Sequence, residues 1–469
     1  MGFNLGSTKL RQRHDGRYDE HVFESPLVRL MKDHGYRDSV TAGESLPKDK
    51  LNPKSIVVYR YYDAASDAFG SGERMEILDV AKGLGKLIQD VRSKVATATV
   101  RPFAEIKVYL VAHSLGGLIC RAFLQNTWAE HRSSREAVAK VFTYGTPHGG
   151  IELGGMNPAG ILSWNNLNTF NPGELRKLLK LKQNESVRSL GGRFDPKRFF
   201  CLVGTNAREY QVAYGLSRRL AGEDSDGLVK IKNATVDGAP RAFVHRAHSG
   251  HLGIVNSEEG YQNLTRFLFG DVRVDGVLEI KELTLPPAVQ KAKDEGKEIR
   301  ASYHFECEVM IRGLAAKLHS RLVKESSAVF RTFDEMLRPK SWQSRRMPHL
   351  FSAFLDRKAC TREPEKGLVF AIKIRVAVPD YEVDNTWWFD DHVEGASLYE
   401  DMIYLAAIPP AEEDGDWQLG YGYQPNSQNP TQRRAQLKSE DGKTYFELSL
   451  REDTCTGLKG QLRLFVETL

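Results

Sequence analysis

The feature that most constrains this chain is a serine at the point where an apolar strand gives way directly to a helix. Residues 106–112 predict a buried strand, and residues 118–128 predict a helix. A short turn, His-Ser-Leu-Gly-Gly, separates them, with Ser114 near its centre. Because Ala112 and Gly116 are small, the strand and the helix can approach each other closely. Such a turn raises the serine hydroxyl above the strand end, beside a helix N-terminus, and therefore predicts a nucleophile.

Strands and helices alternate on both sides of this turn, through the first 270 residues or so. The predicted helices are 26–35, 73–96, 118–128 and 258–269, and the predicted strands are 55–62, 106–112, 138–144, 199–203 and 241–246. Alternation of this kind predicts the α/β class, with a doubly wound, mostly parallel sheet and helices on both faces.

The character of the sequence changes near residue 270. We assign residues 1–272 to the α/β domain and residues 273–469 to a β-rich, sandwich-like C-terminal domain of unknown role. Within the first domain, residues 151–198 break the alternation and are interpreted as an insertion near the top of the sheet, acting as a lid. One amphipathic helix is predicted at 308–336. The predicted C-terminal strands are 368–377, 399–408, 444–450 and 461–466.

Composition excludes several classes of protein. Hydrophobic residues make up 41% of the 469 residues and charged residues 27%, which is an ordinary globular mix. The net charge of +5 is mild and forms no compact basic stripe, so no nucleic-acid partner is expected. The five cysteines include no CxxC pair, which argues against a zinc site or a disulfide framework and favours a reducing compartment. Without an apolar signal segment or a transmembrane run, we expect a cytoplasmic protein.

Three short segments resemble those of one enzyme superfamily. Ala-His-Ser-Leu-Gly, residues 112–116, has the A-x-S-x-G form of a nucleophile elbow, with alanine in place of the first glycine. Gly-Thr-Pro-His-Gly-Gly, residues 145–150, follows the next predicted strand, and Asp-Gly-Leu-Val lies at 226–229. Together they resemble the α/β-hydrolase superfamily, in particular bacterial serine lipases and esterases and the glycosylphosphatidylinositol-deacylase-like lipases. The resemblance covers about residues 1–270.

A serine nucleophile needs a general base and a carboxylate that orients the base. In the superfamily that the motifs resemble, the acid comes next along the chain after the serine. Asp226 follows the predicted strand 199–203 and a loop, and it matches the segment that carries the acid in lipases. Asp224 and Glu223 lie beside it and remain alternatives.

The base is expected after the strand that follows the acid, where three histidines lie close together. His251 stands before the final helix in His-Leu-Gly-Ile, which resembles the position of the lipase base, and is the first choice. His248 remains the alternative base. His245 falls within the predicted strand and is interpreted as structural.

The resemblance also implies an oxyanion hole and a pocket. The backbone N–H of Leu115, directly after the serine, is the expected first oxyanion donor. The family's first strand has no counterpart here, but the N-terminal residues resemble the tail of its oxyanion loop, so the second donor is expected among Met1, Gly2 and Phe3, with Phe3 as the first choice. His113, Thr146 and His148 are expected around the pocket, His148 as a wall residue rather than the base.

The resemblance therefore implies a hydrolase of carboxylic esters, acyl lipids above all, that works through an acyl-enzyme. It implies no cofactor, and the sequence shows no dedicated metal site. The expected partner is an acyl ester or lipid substrate, with peripheral membrane contact as a further expectation. An acyltransferase on the same fold and a non-catalytic lipid- or protein-binding module with a decayed hydrolase fold remain alternatives. The aromatic run 387–389 fits either a lipid-contacting tip or a core corner.

Overall fold

The structure, a computed structural model, forms two compact units. The first comprises Met1–Arg241 and Arg246–Leu264, and the second comprises Ala242–His245 and Thr265–Leu469. The boundary expected after residue 272 stays a prediction. The structure describes residues 9–12, 18–21, 24–39, 49–59, 76–151, 171–207, 225–249, 253–320, 330–337, 346–356, 367–384, 391–410, 415–423, 433–451 and 457–469.

Helices and strands alternate in the first unit. Its helices are α1 (Glu24–His34), α2 (Ile77–Thr99), α3 (Leu115–Gln125), α4 (Arg132–Ala137), α5 (Pro172–Leu178) and α6 (Glu258–Phe269), the last of which ends in the second unit. Its strands are β1 (Lys9–Gln12), β2 (Tyr18–His21), β3 (Arg37–Asp38), β4 (Ser55–Ile56), β5 (Val108–His113), β6 (Val138–Tyr144), β7 (Phe199–Gly204) and β8 (Arg241–Val244), which also runs into the second unit. The strands β1 and β2 pair antiparallel, whereas the ladders β3–β4 and β5–β6–β7 are parallel.

The strands β5, β6 and β7 form a parallel ladder. His113 lies opposite Tyr144 at the end of β5, and Tyr144 lies opposite Leu202 in β7. Every residue of β7 is buried, as the near-continuous apolar runs of parallel sheets require. Since the carboxyl ends of these strands share one edge, the loops that follow them meet there. The predicted parallel sheet is confirmed.

One hydrophobic core joins the helices to this ladder. Helix α2 buries residues at helical spacing, including Ile77, Val80, Leu84 and Ile88, and they belong to one cluster with β5, β6 and β7. Helix α3 is buried along almost its whole length. The helix that follows the serine turn therefore has little freedom to shift relative to the sheet.

Helix α1 is attached to α6 by a compact polar cluster. The Arg29 guanidinium donates to both carboxylate oxygens of Glu258, at 2.7 and 3.0 Å. It also lies 3.6 Å from the centre of the Tyr261 ring, and the Tyr261 hydroxyl donates to Asp33 at 2.9 Å. A bidentate pair with a cation–π contact is stronger than an ordinary surface ion pair.

The second unit consists mainly of two antiparallel sheets. One orders its strands β13-β9-β22-β21-β20, and the other orders them β16-β15-β10-β14-β17-β18-β19, with β11 and β12 also paired to β10. Their bounds are β9 (Val272–Leu283), β10 (Ile299–Ile311), β11 (Lys317–Ser320), β12 (Phe330–Thr332), β13 (His349–Leu355), β14 (Leu368–Ala377), β15 (Asp380–Val383), β16 (Asp391–Glu394), β17 (Ser397–Ile408), β18 (Gln418–Tyr423), β19 (Arg433–Arg434), β20 (Gln436–Glu440), β21 (Lys443–Ser449) and β22 (Leu458–Thr468). The helices α7 (Pro287–Asp294) and α8 (Phe333–Leu337) complete it.

Period-two alternation builds the core of this unit. In β14, Phe370, Ile372 and Ile374 are buried, while the residues between them are partly exposed. Their buried side chains share one cluster with residues from both sheets. The β-rich character expected after residue 270 is confirmed.

The helix predicted at 308–336 is wrong. Strand β10 continues to Ile311, the strands β11 and β12 follow, and only Phe333–Leu337 is helical. The apolar residues Phe305, Cys307 and Val309 alternate with glutamates, which is the period of a strand.

Two other predicted segments are described only in part. Of the strand predicted at 55–62, the structure assigns Ser55–Ile56 as β4, and residues 60–62 lie outside the described residues. Residues 152–170 of the insertion also lie outside the described residues. Helix α5 lies in the part of the insertion that is described from residue 171 onwards. Among the described residues, no helix combines the length and the apolar character that a membrane crossing needs.

We expect Arg29→Gln to loosen α1 locally, because it removes both charge-assisted hydrogen bonds and the cation–π contact. Backbone amides of α1 should exchange about tenfold faster with solvent deuterium, equivalent to about 1.4 kcal/mol of local stability. Arg132→Gln is the matched control, since it breaks a pair with Glu136 whose side chains are 77% and 63% exposed. Equal exchange of α1 in wild type and Arg29→Gln would contradict the anchoring role.

Candidate active site

Ser114 occupies the turn between β5 and α3 in a conformation that non-glycine residues rarely adopt. Its φ is 52° and its ψ is −125°. Such a backbone persists only where its surroundings hold it. Here the Ser114 N–H donates to the Tyr144 carbonyl at 2.9 Å, which continues the pairing of β5 with β6 beyond the strand end.

Three side chains form a continuous hydrogen-bonded relay at this turn. Ser114 Oγ lies 3.0 Å from His248 Nε2, and His248 Nδ1 lies 2.8 Å from Asp226 Oδ2. A carboxylate only accepts hydrogen bonds, so Nδ1 carries the proton that it donates to Asp226. Nε2 of that tautomer accepts the proton of the Ser114 hydroxyl.

The Asp226 carboxylate is oriented by its own turn. Its Oδ1 accepts the backbone N–H groups of Leu228 at 3.1 Å and Val229 at 2.8 Å, which leaves Oδ2 directed at His248. The His248 N–H donates back to the Asp226 carbonyl at 2.8 Å. The Asp226 and His248 side chains are 1% and 2% exposed, so water does not compete for these bonds.

The segment that carries His248 is held at several points. The Arg246 carbonyl accepts the Asn206 N–H at 3.2 Å, and the Arg246 guanidinium pairs with both carboxylate oxygens of Glu259 in α6, at 3.1 and 3.0 Å. On the other side, the Ile254 N–H donates to the Ala247 carbonyl at 2.9 Å. These bonds hold the two residues that precede His248 and join Ala247 to Ile254.

The structure thus brings together Ser114, Asp226 and the alternative base, His248. The first choice for the base, His251, lies outside the described residues, and its role stays a prediction. The alternative acids Asp224 and Glu223 and the oxyanion residue Phe3 also lie outside them. Leu115 is the first residue of α3, where N–H groups have no acceptor within the helix.

His113 is hydrogen-bonded to His248. Its Nε2 lies 2.9 Å from the His248 carbonyl, so Nε2 carries the proton and donates it. The two imidazole rings lie 4.8 Å apart between centroids. Burial lowers the pKa of His113 to about 3, with the nearby His248 acting in the same direction. His113 is therefore neutral at physiological pH.

His148, expected at the pocket wall, is fully buried. Its ring packs edge-on against Phe199, and its Nε2 lies 3.2 Å from the Thr143 hydroxyl. Burial lowers the pKa of His148 well below its ordinary value, and the Arg121 charge lowers it further. The His148 carbonyl accepts a bond from Arg121 at 2.8 Å. In the described structure, His148 packs in the interior.

Arg121 is a site residue that motif matching missed. It lies two helical turns after Ser114 in a mainly apolar helix and is 0% exposed. Its guanidinium donates to the carbonyls of His148, Val187 and Ser189 at 2.7–2.8 Å. It therefore connects the helix to the loop after β6. A lone arginine among the apolar residues of α3 was the available signal.

Glycine is required at two close approaches around the relay. Gly145 has a φ of 50°, and a Cβ there would lie 2.9 Å from Asp226 Oδ2 and 3.0 Å from His248 Nδ1. At Gly204, a Cβ would lie 2.5 Å from the Arg246 carbonyl oxygen. The backbone therefore passes directly against the acid and the base.

One group in the second unit has the residue types of a metal site. Ligand atoms of Asp380, Glu382 and His392 lie within 4.8 Å of one another, and it is the one such group among the residues that the structure describes. These residues are exposed or partly exposed, and His392 lies 3.4 Å from Asp380 as an ion pair would. The pair accounts for the arrangement, and no metal is assigned.

Comparison with known proteins gave three solved structures. No protein-family model and no curated protein matches the chain. The mature form of the Bacillus licheniformis lipase BlEst2 is 21% identical over 43% of this chain and 76% of that chain, with a TM-score of 0.31. Phospholipase PlaB from Legionella pneumophila is 12% identical over 79% and 84%, with a TM-score of 0.31. The propeptide form of BlEst2 is 14% identical over 75% and 87%, with a TM-score of 0.29.

We expect Gly145→Ala to disable the relay, because the new methyl group would push Asp226 and His248 apart. The rate at which a fluorophosphonate labels Ser114 should fall about 100-fold, the usual effect of misplacing a reacting group by about 1 Å. Gly192→Ala is the matched control: its φ is 69°, but nothing lies within 4 Å of the added Cβ. If both variants lost reactivity equally, backbone strain rather than contact with the relay would be the cause.

Acid should destabilise the first unit in part through His113. Its folded pKa of about 3 lies below the ordinary 6.5, so the folded chain binds fewer protons than the unfolded chain between these values. Stability should therefore fall as the pH falls from about 6.5 towards 3. His113→Gln, which keeps a hydrogen-bond donor, should make that fall shallower in urea unfolding measured from pH 7 to pH 4.5. An unchanged slope would contradict the assignment.

Proposed function

We propose that this chain is a serine hydrolase of carboxylic esters, with acyl lipids as its expected substrates. The observation that carries the proposal is the unbroken relay from Ser114 through His248 to Asp226. Ser114 Oγ lies 3.0 Å from His248 Nε2, and His248 Nδ1 lies 2.8 Å from Asp226 Oδ2, in the chain order serine, acid, histidine that a catalytic triad of this kind would have. A buried structural serine would need neither the strained backbone nor an imidazole aimed at its hydroxyl.

In the acylation step, Ser114 Oγ attacks the ester carbonyl carbon while His248 Nε2 takes its proton. The Asp226 carboxylate stabilises the imidazolium through its bond to Nδ1. The carbonyl oxygen gains the electron pair of the broken π bond and is held by the N–H of Leu115. When the tetrahedral intermediate collapses, His248 returns the proton to the leaving alcohol, and the acyl group remains on Ser114.

In the deacylation step, water takes the place of the alcohol. His248 removes a proton from the water, whose oxygen attacks the acyl carbon, and the same N–H of Leu115 holds the second oxyanion. Collapse breaks the bond to Ser114 Oγ, which takes the proton back from His248, and releases the carboxylic acid. None of these steps requires a metal or an organic cofactor.

The lipid part of the proposal depends on the sequence. The segments at 112–116, 145–150 and 226–229 resemble those of lipases, and the insertion at 151–198 carries an apolar stretch suited to a hydrophobic pocket or lid. The α/β-hydrolase assignment has the same support, together with the parallel ladder and the positive φ of Ser114.

The test is active-site labelling followed by an ester series. A fluorophosphonate should label the wild-type chain and not Ser114→Ala, because only an activated serine displaces fluoride. p-Nitrophenyl esters of increasing chain length should then be hydrolysed, and a preference for long chains would identify a lipase rather than a short-chain esterase. A folded wild-type chain that is not labelled would contradict the proposal and favour a binding module.

The identity of the base is tested by a pair of variants. We expect His248→Gln to lower kcat by about a thousandfold or more, since a triad acts as a unit. His251→Gln should retain most of the activity. The reverse pattern would assign the base to His251.

Water and alcohol compete for the same acyl-enzyme. Product analysis with added glycerol therefore distinguishes a hydrolase from an acyltransferase: free acid as the main product supports the hydrolase, and acyl glycerol supports the transferase.

A further inference from the structure

The loop after β6 makes a hydrogen bond to the serine turn that the triad mechanism does not use. Thr146 Oγ1 donates to the Ser114 carbonyl oxygen at 2.8 Å. The same oxygen accepts the Gly117 N–H at 3.1 Å within the first turn of α3. Thr146 is 1% exposed, so water cannot replace its hydroxyl. The Ser114 carbonyl is therefore held from two directions.

This carbonyl belongs to the peptide group whose N–H is the proposed oxyanion donor. The C=O of Ser114 and the N–H of Leu115 lie in one plane and point in opposite directions. A bond that fixes the direction of the carbonyl consequently fixes the direction of the N–H. Since Ser114 has a φ of 52° and a ψ of −125°, this peptide lies outside the common backbone basins, and rotation about ψ would turn the N–H away.

Thr146 is itself held rigidly. Its own carbonyl accepts the His148 N–H at 2.9 Å, and the His148 carbonyl is bound by the buried Arg121 at 2.8 Å. A Cβ at Gly117 would lie 2.2 Å from Thr146 Oγ1, so glycine at that position is what admits the hydroxyl. Thr146 therefore packs closely against the first turn of α3.

We propose that Thr146 is a positioning residue for the oxyanion hole: its hydroxyl orients the Ser114–Leu115 peptide so that the Leu115 N–H points at the developing oxyanion. Donation to the carbonyl oxygen also polarises the peptide and strengthens the N–H as a donor. Thr146 does not touch the substrate and acts through the backbone alone. This role rests on the proposed hydrolase function.

The test compares three variants of the full chain. Thr146→Val keeps the branched shape and loses the donor, Thr146→Ala loses the donor without adding volume, and Thr146→Ser keeps the donor. The two variants without a hydroxyl should lower kcat for a p-nitrophenyl ester about 10- to 100-fold, with KM changed less than about twofold. Thr146→Ser should recover activity to within about threefold of wild type.

A second readout reports the oxyanion directly. A trifluoromethyl ketone adds to Ser114 and places a negative oxygen in the hole. Its inhibition constant should rise in Thr146→Val and Thr146→Ala by about the factor that kcat/KM loses, whereas a non-covalent product acid should bind as in wild type. Should Thr146→Val fold poorly, Thr146→Ala and Thr146→Ser still provide the comparison.

The outcomes separate this inference from the proposed function. An active wild type whose Thr146→Val and Thr146→Ala variants keep the wild-type kcat overturns the inference alone. Equal losses in all three variants, or losses expressed in KM, indicate a merely structural role and overturn it as well. A folded wild type that neither labels nor hydrolyses esters overturns the proposed function, and the positioning role with it.

Discussion

The pairing of β5 with β6 is the constraint on which the candidate site depends. The ladder does not stop at His113, because the Ser114 N–H still bonds to the Tyr144 carbonyl. At that point the chain must turn into α3, whose buried face is already committed to the core. Because the strand before Ser114 and the helix after it are both fixed, few combinations of φ and ψ are open to this residue. The positive φ of Ser114 is the result, and it brings the hydroxyl within reach of His248.

Buried polar groups stabilise this arrangement, and Arg121 is the one that needs the most hydrogen-bond acceptors. A guanidinium without exposure to water is costly unless all its donors are used, and burial lowers the pKa of Arg121 to about 9. Its bonds go to the Gln125 side chain and to carbonyls after β6 and at 187–189. Because the buried guanidinium bonds to each of these segments, they cannot separate without exposing it to water or leaving its donors unpaired. The loop that carries Thr146 is thereby tied to the helix that begins beside Ser114.

The sequence correctly predicted those helices and strands whose apolar residues recur at a regular spacing over a long segment with clear ends. The bounds of β6, α6 and β14 agree with the prediction to the residue. The helix prediction at 308–336 failed because its first residues continue β10, whose period-two alternation lies mainly before residue 308, and the strands β11 and β12 follow. The motifs pointed to Ser114 and Asp226 of the hydrogen-bonded relay but left open the choice among three histidines spaced three residues apart. The position of the His248 imidazole depends on long-range bonds, such as the one from the Asn206 N–H to the Arg246 carbonyl, which no local residue type specifies.

The His113 and His248 rings lie so close together that a positive charge is favoured on only one of them at a time. A second positive ring at the observed 4.8 Å separation would oppose the His248 imidazolium by about 3 kcal/mol at an effective dielectric constant of about 20. This repulsion does not arise, because desolvation lowers the pKa of His113 to about 3 and so keeps its ring neutral. A neutral His113 can still donate its Nε2–H to the His248 carbonyl. His113 thus holds the backbone of His248 while adding no positive charge beside its ring.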